Sequence, residues 1–308
     1  MKRRDVLLGL AGVALVPSMA IAKDPEFRII ETTTGKEVRW KSMLDNAAKS
    51  DAVFVGEQHD DPETHRMELA ILEDLHERVG RRLILTMEMF ERDQQVVLDQ
   101  HLAGVLSEEE LGKKTKLWGN YASDYAPMVR FAAKNMVPVV AANCPNTIIR
   151  KVGQGGIDAL AKLPESERRF AAKTVIAPAA DAYADKFTET MSGMGGSHGP
   201  AMDPAMLRRI YEAQCTRDDT MAESIHRAMT TGSVVLHING GFHSESGLGT
   251  VARLQWRRPL GHRSTVIQVV PVKGSLKGAI VPKGQATGTY VVFVADKRKP
   301  EATSDSLK

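Results

Sequence analysis

The stretch Ala52-Val53-Phe54-Val55-Gly56-Glu57-Gln58-His59-Asp60-Asp61 decides the reading of this chain. Its first four residues are apolar and mostly β-branched or aromatic, the composition of a strand buried on both faces. The run stops at a glycine, and a carboxylate, an imidazole and two more carboxylates come after it. In a parallel α/β sheet, the C-terminal end of a buried strand is where ligand sites form. Residues 233–239 make a second apolar run, and Gly240-Gly241-Phe242-His243 repeats the spacing of a glycine three residues before a histidine.

Working outward from these two runs, further strands are expected at 82–90, 137–143, 264–271 and 289–295, the last at a sheet edge. Residues 27–40 read as a small hairpin. Helical patterns fall between the strands, at 41–49, 62–79, 93–103, 107–112, 126–135 and 204–229. The second of these starts with Asp61 as N-cap, Pro62 in the first position and Glu63 in the first turn. Its apolar stripe is Met67, Ala70, Ile71 and Leu75. This alternation predicts an α/β fold: a mostly parallel central sheet flanked by helices, with the site along the C-terminal strand edge. Residues 23–296 would form the domain. Between about 153 and 230 methionines and glycines cluster, and this part is expected to be a helical insertion subdomain; 297–308 is a polar tail.

The N-terminal residues 1–22 have a basic start, an apolar run and Ala20-Ile21-Ala22, the form of a signal-peptidase site. The pair Arg3-Arg4 before Asp5-Val6-Leu7-Leu8 fits a twin-arginine signal, so the mature protein is expected to be exported, periplasmic and soluble, with no stable membrane anchor after cleavage. The formal charge is +3, falling to about +1 once that segment is set aside, with no basic face. Nucleic acid is therefore not an expected partner. Cys144 and Cys215 either form one disulfide or remain buried free thiols; neither has metal or redox spacing.

Glu57, His59, Glu88 and His243 are candidate ligands for a divalent transition metal of the zinc, iron or manganese kind, with Asp60 and Asn239 orienting the imidazoles. With metal bound, Glu57 or Glu88 would act as general base in hydrolysis. Arg92 competes as a simple charge partner for Glu88. His65, His76, His101, His226 and His262 are expected on helix or loop surfaces, without a role. Tyr183, His198 and the methionines around the glycine-rich loop either fill gaps in a core or line a large flat apolar ligand, with tyrosinate or imidazole as an axial ligand to iron.

Gly56-Glu57-Gln58-His59, Glu88-Met89-Phe90-Glu91-Arg92, Tyr125-Ala126-Pro127-Met128-Val129, 137–143, 213–225 and the Gly240–His243 turn, in this order, resemble the ChaN-like haem-binding uptake proteins of the Tiki/TraB superfamily. The resemblance runs from roughly 52 to 254. It implies an exported protein of haem or iron acquisition, with haem on an axial tyrosine and paired subunits enclosing stacked haems in a homodimer. Tyr183 is the first choice for that tyrosine, ahead of Tyr125 and Tyr211, with His198 as a second ligand or hydrogen-bond partner. The Tiki branch is implicated in metal-dependent proteolysis, and its paired GxxH motifs align with Gly56–His59 and Gly240–His243. ChaN relatives are often lipoproteins, whereas no cysteine here stands where a lipid would be attached.

Overall fold

The computed structural model describes residues 27–194, 203–281 and 288–298. The segment 1–22 expected to be a signal peptide, His198 and most of the polar tail lie outside these residues. The strands are β1 (Phe27–Glu31), β2 (Lys36–Glu37), β3 (Ala52–Glu57), β4 (Leu83–Glu91), β5 (Val139–Asn143), β6 (Val234–Gly240), β7 (Ser264–Val272) and β8 (Tyr290–Ala295). They form one sheet in the order β2-β1-β8-β7-β3-β6-β4-β5. Every pairing from β8 across to β5 is parallel, while β1 runs antiparallel to β8 and to β2. The sheet is thus mostly parallel, as expected. β8 is not at an edge: the N-terminal hairpin adds to it through β1, which sets Phe27 against Val294 and Glu31 against Tyr290.

β3 lies in the middle, between β6 and β7, and all six of its residues are buried. A strand with no solvent face needs no polar alternation, and each Val or Phe placed there contributes about 1.5–3 kcal/mol. Helices cover both faces. On one side α1 (Trp40–Ala47), α2 (Pro62–Val79), α3 (Gln95–Leu102), α4 (Glu108–Lys114) and α5 (Ala126–Asn135) close a large core that includes Val53, Val55, Met67, Ile71 and Leu75. After β5 come α6 (Asn146–Gly155), α7 (Glu165–Arg168), α8 (Ala182–Met194) and α9 (Pro204–Ala228), then α10 (Gly249–Arg257) after β6. Ala222 and Ile225 of α9 and Leu254 of α10 pack on Ala52, Phe54 and Val235, which covers the opposite face.

The helical region after β5 is therefore continuous with the sheet: the C-terminal half of α9 is a crossover helix, and Ser224 Oγ donates to Ala142 O in β5. Its N-terminal half, with α8, builds a separate apolar cluster of Tyr183, Phe187, Tyr211 and Cys215. At the β5 edge, the Gln95 side-chain amide donates to Val139 O and accepts from Ala141 N. It takes the place of a partner strand there, one way of blunting an open edge. Cys144 and Cys215 are both free and buried, and burial pushes each thiol up to about 12.

Candidate functional site

The parallel register sets the two GxxH motifs side by side, with Gly56 paired to Asn239 and Glu57 to Gly240. Each motif glycine leaves room for a side chain from elsewhere. A Cβ on Gly56 would overlap the amide of Gln268, which reaches across from the neighbouring β7. A Cβ on Gly240 would lie 2.6 Å from His59 Nε2 and 2.7 Å from Cε1. The second motif thus admits the histidine of the first, so the spacing that looked like a repeat is an interlocking contact.

On the α2 side, His59 Nδ1 lies 2.5 Å from Glu57 Oε1, which also accepts from Tyr125 OH at 2.9 Å. Asp61 caps α2 by accepting from the Glu63 and Thr64 amides, as expected. That start angle aims the first turns of α2 at Glu57. His65 Nδ1 comes 2.9 Å from Glu57 Oε2 and 3.0 Å from Glu68 Oε2. Burial opposes charge on Glu57, but the bonds from His59 and His65 outweigh it and hold the carboxyl down at about 2. Burial likewise opposes charge on His65, yet Glu57 and Glu68 raise it to about 11. Glu68 is pushed well above the carboxylate range by burial and by the Glu57 charge.

On the α9 side, His243 Nδ1 lies 2.8 Å from Asp218 Oδ1, and its Nε2 lies 3.4 Å from Glu88 Oε1. Glu88 Oε2 accepts from Gly240 N at 2.7 Å. Burial disfavours the imidazolium, but Glu88 and Asp218 together raise His243 to about 10. Although burial opposes their charge, both carboxylates are held below their ordinary range by His243. Asp218 also accepts from Thr250 and, at 2.5 Å, from Tyr183 OH. A continuous polar chain therefore runs from the α8 region through Asp218 and His243 to Glu88.

All four strand-end residues read from the sequence gather at this edge, in two pairs: His59 with Glu57, and His243 with Glu88. Arg92 is not the partner of Glu88; it bonds Glu223, Ser224 and Thr220 O instead. Asn239 turns away to Gly240 O and Ser244, and Asp60 is exposed. Tyr125 belongs to the strand-end site, whereas Tyr183 and Tyr211 belong to the aromatic cluster with Phe187 and Phe242. Each of the three phenols bonds a carboxylate, and burial raises each pKa further above the ordinary tyrosine value.

His65 corrects the surface placement expected for it: it is buried at the heart of the α2 side. Its signal was present. Glu68, Ile71, Leu72 and Leu75 share one helical stripe with Thr64 and His65, so a histidine and a glutamate sat in the apolar face of α2. Asp218 was missed for the same reason, as a polar residue in the buried stripe of α9.

Residues 43–254 match the family described as haem-binding uptake, Tiki superfamily, ChaN. The chain belongs to that family. Its fold is similar to a ChaN of Campylobacter jejuni, described as a cofacial haem-binding structure, with a TM-score of 0.66 at 17% identity, covering 86% of this chain and 96% of that one. It is also similar to the erythromycin esterase EreC, at a TM-score of 0.47 and 11% identity over 80% of this chain and 78% of that one. Protein RETICULATA-RELATED 5, chloroplastic, of Arabidopsis thaliana is 26% identical over 258 residues, 78% of this chain. The chain spans about a third, 32%, of the length of that curated relative. No helix among the described residues is long and apolar enough to cross a membrane.

Proposed function

We propose that this ChaN-family chain is an exported haem-binding protein that acquires or handles haem or iron. The observation that carries the reading is the match of residues 43–254 to a haem-binding uptake family. Residues 1–22, with Arg3-Arg4 and Ala20-Ile21-Ala22, support export. Haem would lie on the insertion, where α8 and the N-terminal half of α9 present apolar surface: Met191, Leu207 and Ile210 are partly buried, and Met206 is 47% exposed. Tyr183 and His198 are the proposed iron ligands, with Tyr211 and Tyr125 as alternatives. Ligation by Tyr183 requires its phenol to leave Asp218, which keeps His243 and Thr250 as partners. Two copies meeting through this surface would hold their haems in pairs, as the cofacial description of the C. jejuni relative suggests.

Titrating the purified protein with hemin tests this. A Soret band that saturates near one haem per chain is expected, with its position changed in Tyr183→Phe and in His198→Ala. Weak absorbance that never saturates sinks the reading. A second reading, hydrolysis with a divalent metal held by His59, His243, Glu57 and Glu88, is favoured by one observation. The His59 imidazole is 44% exposed and its Nδ1 is held by the buried Glu57 carboxylate, the arrangement of a metal-binding histidine oriented through its other nitrogen. Metal-dependent cleavage of peptide substrates that disappears in His59→Ala would support it, and an inactive wild type would not.

A further inference from the structure

We propose that Glu57, His65 and Glu68 form a divalent transition-metal site of their own beneath the end of β3, distinct from the haem region and sharing only Glu57 with the strand-end quartet. One ligand atom from each of the three lies within 4.8 Å of the others. Small side-chain shifts close that span around one ion with bonds of about 2.0–2.2 Å.

The partners that the cluster lacks are the first support. Glu57 is 2% and Glu68 0% exposed, yet Glu68 Oε1 has no hydrogen-bond partner and Glu57 Oε2 meets only His65. The single His65 Nδ1 thus serves both carboxylates, 2.9 Å from Glu57 Oε2 and 3.0 Å from Glu68 Oε2. Buried carboxylate oxygens without donors are costly, and a cation among them supplies the missing interaction.

The surrounding residues are the second support. A histidine that binds metal through one nitrogen usually donates from the other to a carbonyl or carboxylate, and a ligating carboxylate is itself held by donors. His65 Nε2 lies 3.3 Å from His59 O and 3.5 Å from Asp124 Oδ2, which turns Nδ1 towards the two glutamates. Glu57 Oε1 is occupied by His59 and Tyr125, which leaves Oε2 facing His65. The backbone fixes the third ligand, since His65 and Glu68 stand one turn apart on α2. One imidazole nitrogen with carboxylate oxygens, and no thiolate, suits Zn2+, Mn2+ or Fe2+ and not a soft ion such as Cu+. The way in passes His59, the solvent-exposed side chain that covers Glu57.

The probe is Co2+, added to full-length protein stripped with a chelator. A visible d–d absorption band saturating at about one Co2+ per chain is expected. Glu68→Gln and His65→Gln should weaken binding at least about a hundredfold, and Asp124→Asn, which acts through His65, about ten- to a hundredfold. His76→Gln serves as the unaffected control. A wild type with no saturable band at millimolar Co2+ overturns the proposal whatever the variants do. So does a folded Glu68→Gln or Asp124→Asn that binds like wild type, or a band abolished by His243→Ala and kept in Glu68→Gln. Because hemin titration reads the haem proposal separately, either can fail alone.

Discussion

His59 and His243 occupy the same position in two copies of one motif, on strands in register, yet they end in opposite environments. The His59 side chain is 44% exposed and has one close carboxylate partner; the His243 side chain is 7% exposed and sits between two. The backbone pattern does not cause the difference. The helices packed against the two strand ends cause it: α9 brings Asp218 over the second histidine, whereas the first lies outside Glu57 while α2 sends His65 and Glu68 in beneath it. A shared motif therefore fixes where an imidazole starts, and the neighbouring helix decides what the imidazole can do. His243 is held between two buried carboxylates, and His59 is the group that can meet a ligand.

The sharpest way to break this contrast is His243→Ala. It leaves Glu88 and Asp218 buried together without their cation, and removing one partner of a buried ion pair costs about 3–5 kcal/mol. Urea denaturation should show that loss. A change below about 1 kcal/mol would mean that His243 is not the cation that the α9 side is built around.

The pH dependence of stability sharpens the same contrast. His243 is raised to about 10, so its contribution is complete below its ordinary value of 6.5 and is lost as the pH climbs through about 10. Glu88 is depressed, so its contribution is present above its ordinary 4.5 and is lost as the pH falls below that. Each limb should be on the order of a few kcal/mol. Thermal unfolding between pH 6 and 10 should decline in the wild type and decline less steeply in His243→Ala, where His65, raised to about 11, still contributes; parallel curves would contradict the assignment.

Tyr183→Phe should have a smaller effect. A hydrogen bond to a charged group is worth about 1.5–3 kcal/mol, and Asp218 retains His243 and Thr250 after the phenol is gone. Tyr125→Phe is the matched change on the other side, where Glu57 retains His59 and His65. Similar losses in chemical denaturation mark the two phenols as equivalent supports. A near-neutral Tyr183→Phe, set against a costly Tyr125→Phe, would free Tyr183 for another role.

The central strands, the parallel sheet and the gathering of Glu57, His59, Glu88 and His243 at one edge were legible because apolar runs ending in glycine carry their own signal. β8 was placed at an edge because nothing within a strand says whether a distant hairpin will pair with it. His65, Glu68 and Asp218 were hidden for a different reason. Sequence periodicity marks which helix face is buried, and a charged residue in that face reads as noise until its partner is known. Asp218 finds its partner His243 on another element, while His65 and Glu68 pair with each other and His65 meets Glu57 at the end of the preceding strand. Likewise Tyr125 looked like a haem ligand by residue type, and only its bond to Glu57 ties it to the strand-end site.

The smallest expected effect is the most telling. His59→Ala removes one bond from Glu57, but that carboxylate still accepts from Tyr125 and lies against His65, and the lost imidazole was nearly half in water. The pair is half-buried, so denaturation should move by about 1 kcal/mol, well short of the loss of about 3–5 kcal/mol expected at His243. Ligand binding at the strand edge should respond more than stability does, because Gly240 lacks a side chain at the place where the His59 ring sits. Gly240→Ala supplies the complement: it keeps the imidazole and displaces it. If both variants fold like wild type and both change Co2+ binding, His59 faces the ligand; if either costs as much stability as His243→Ala, the two motif histidines are structural alike and the contrast between them collapses.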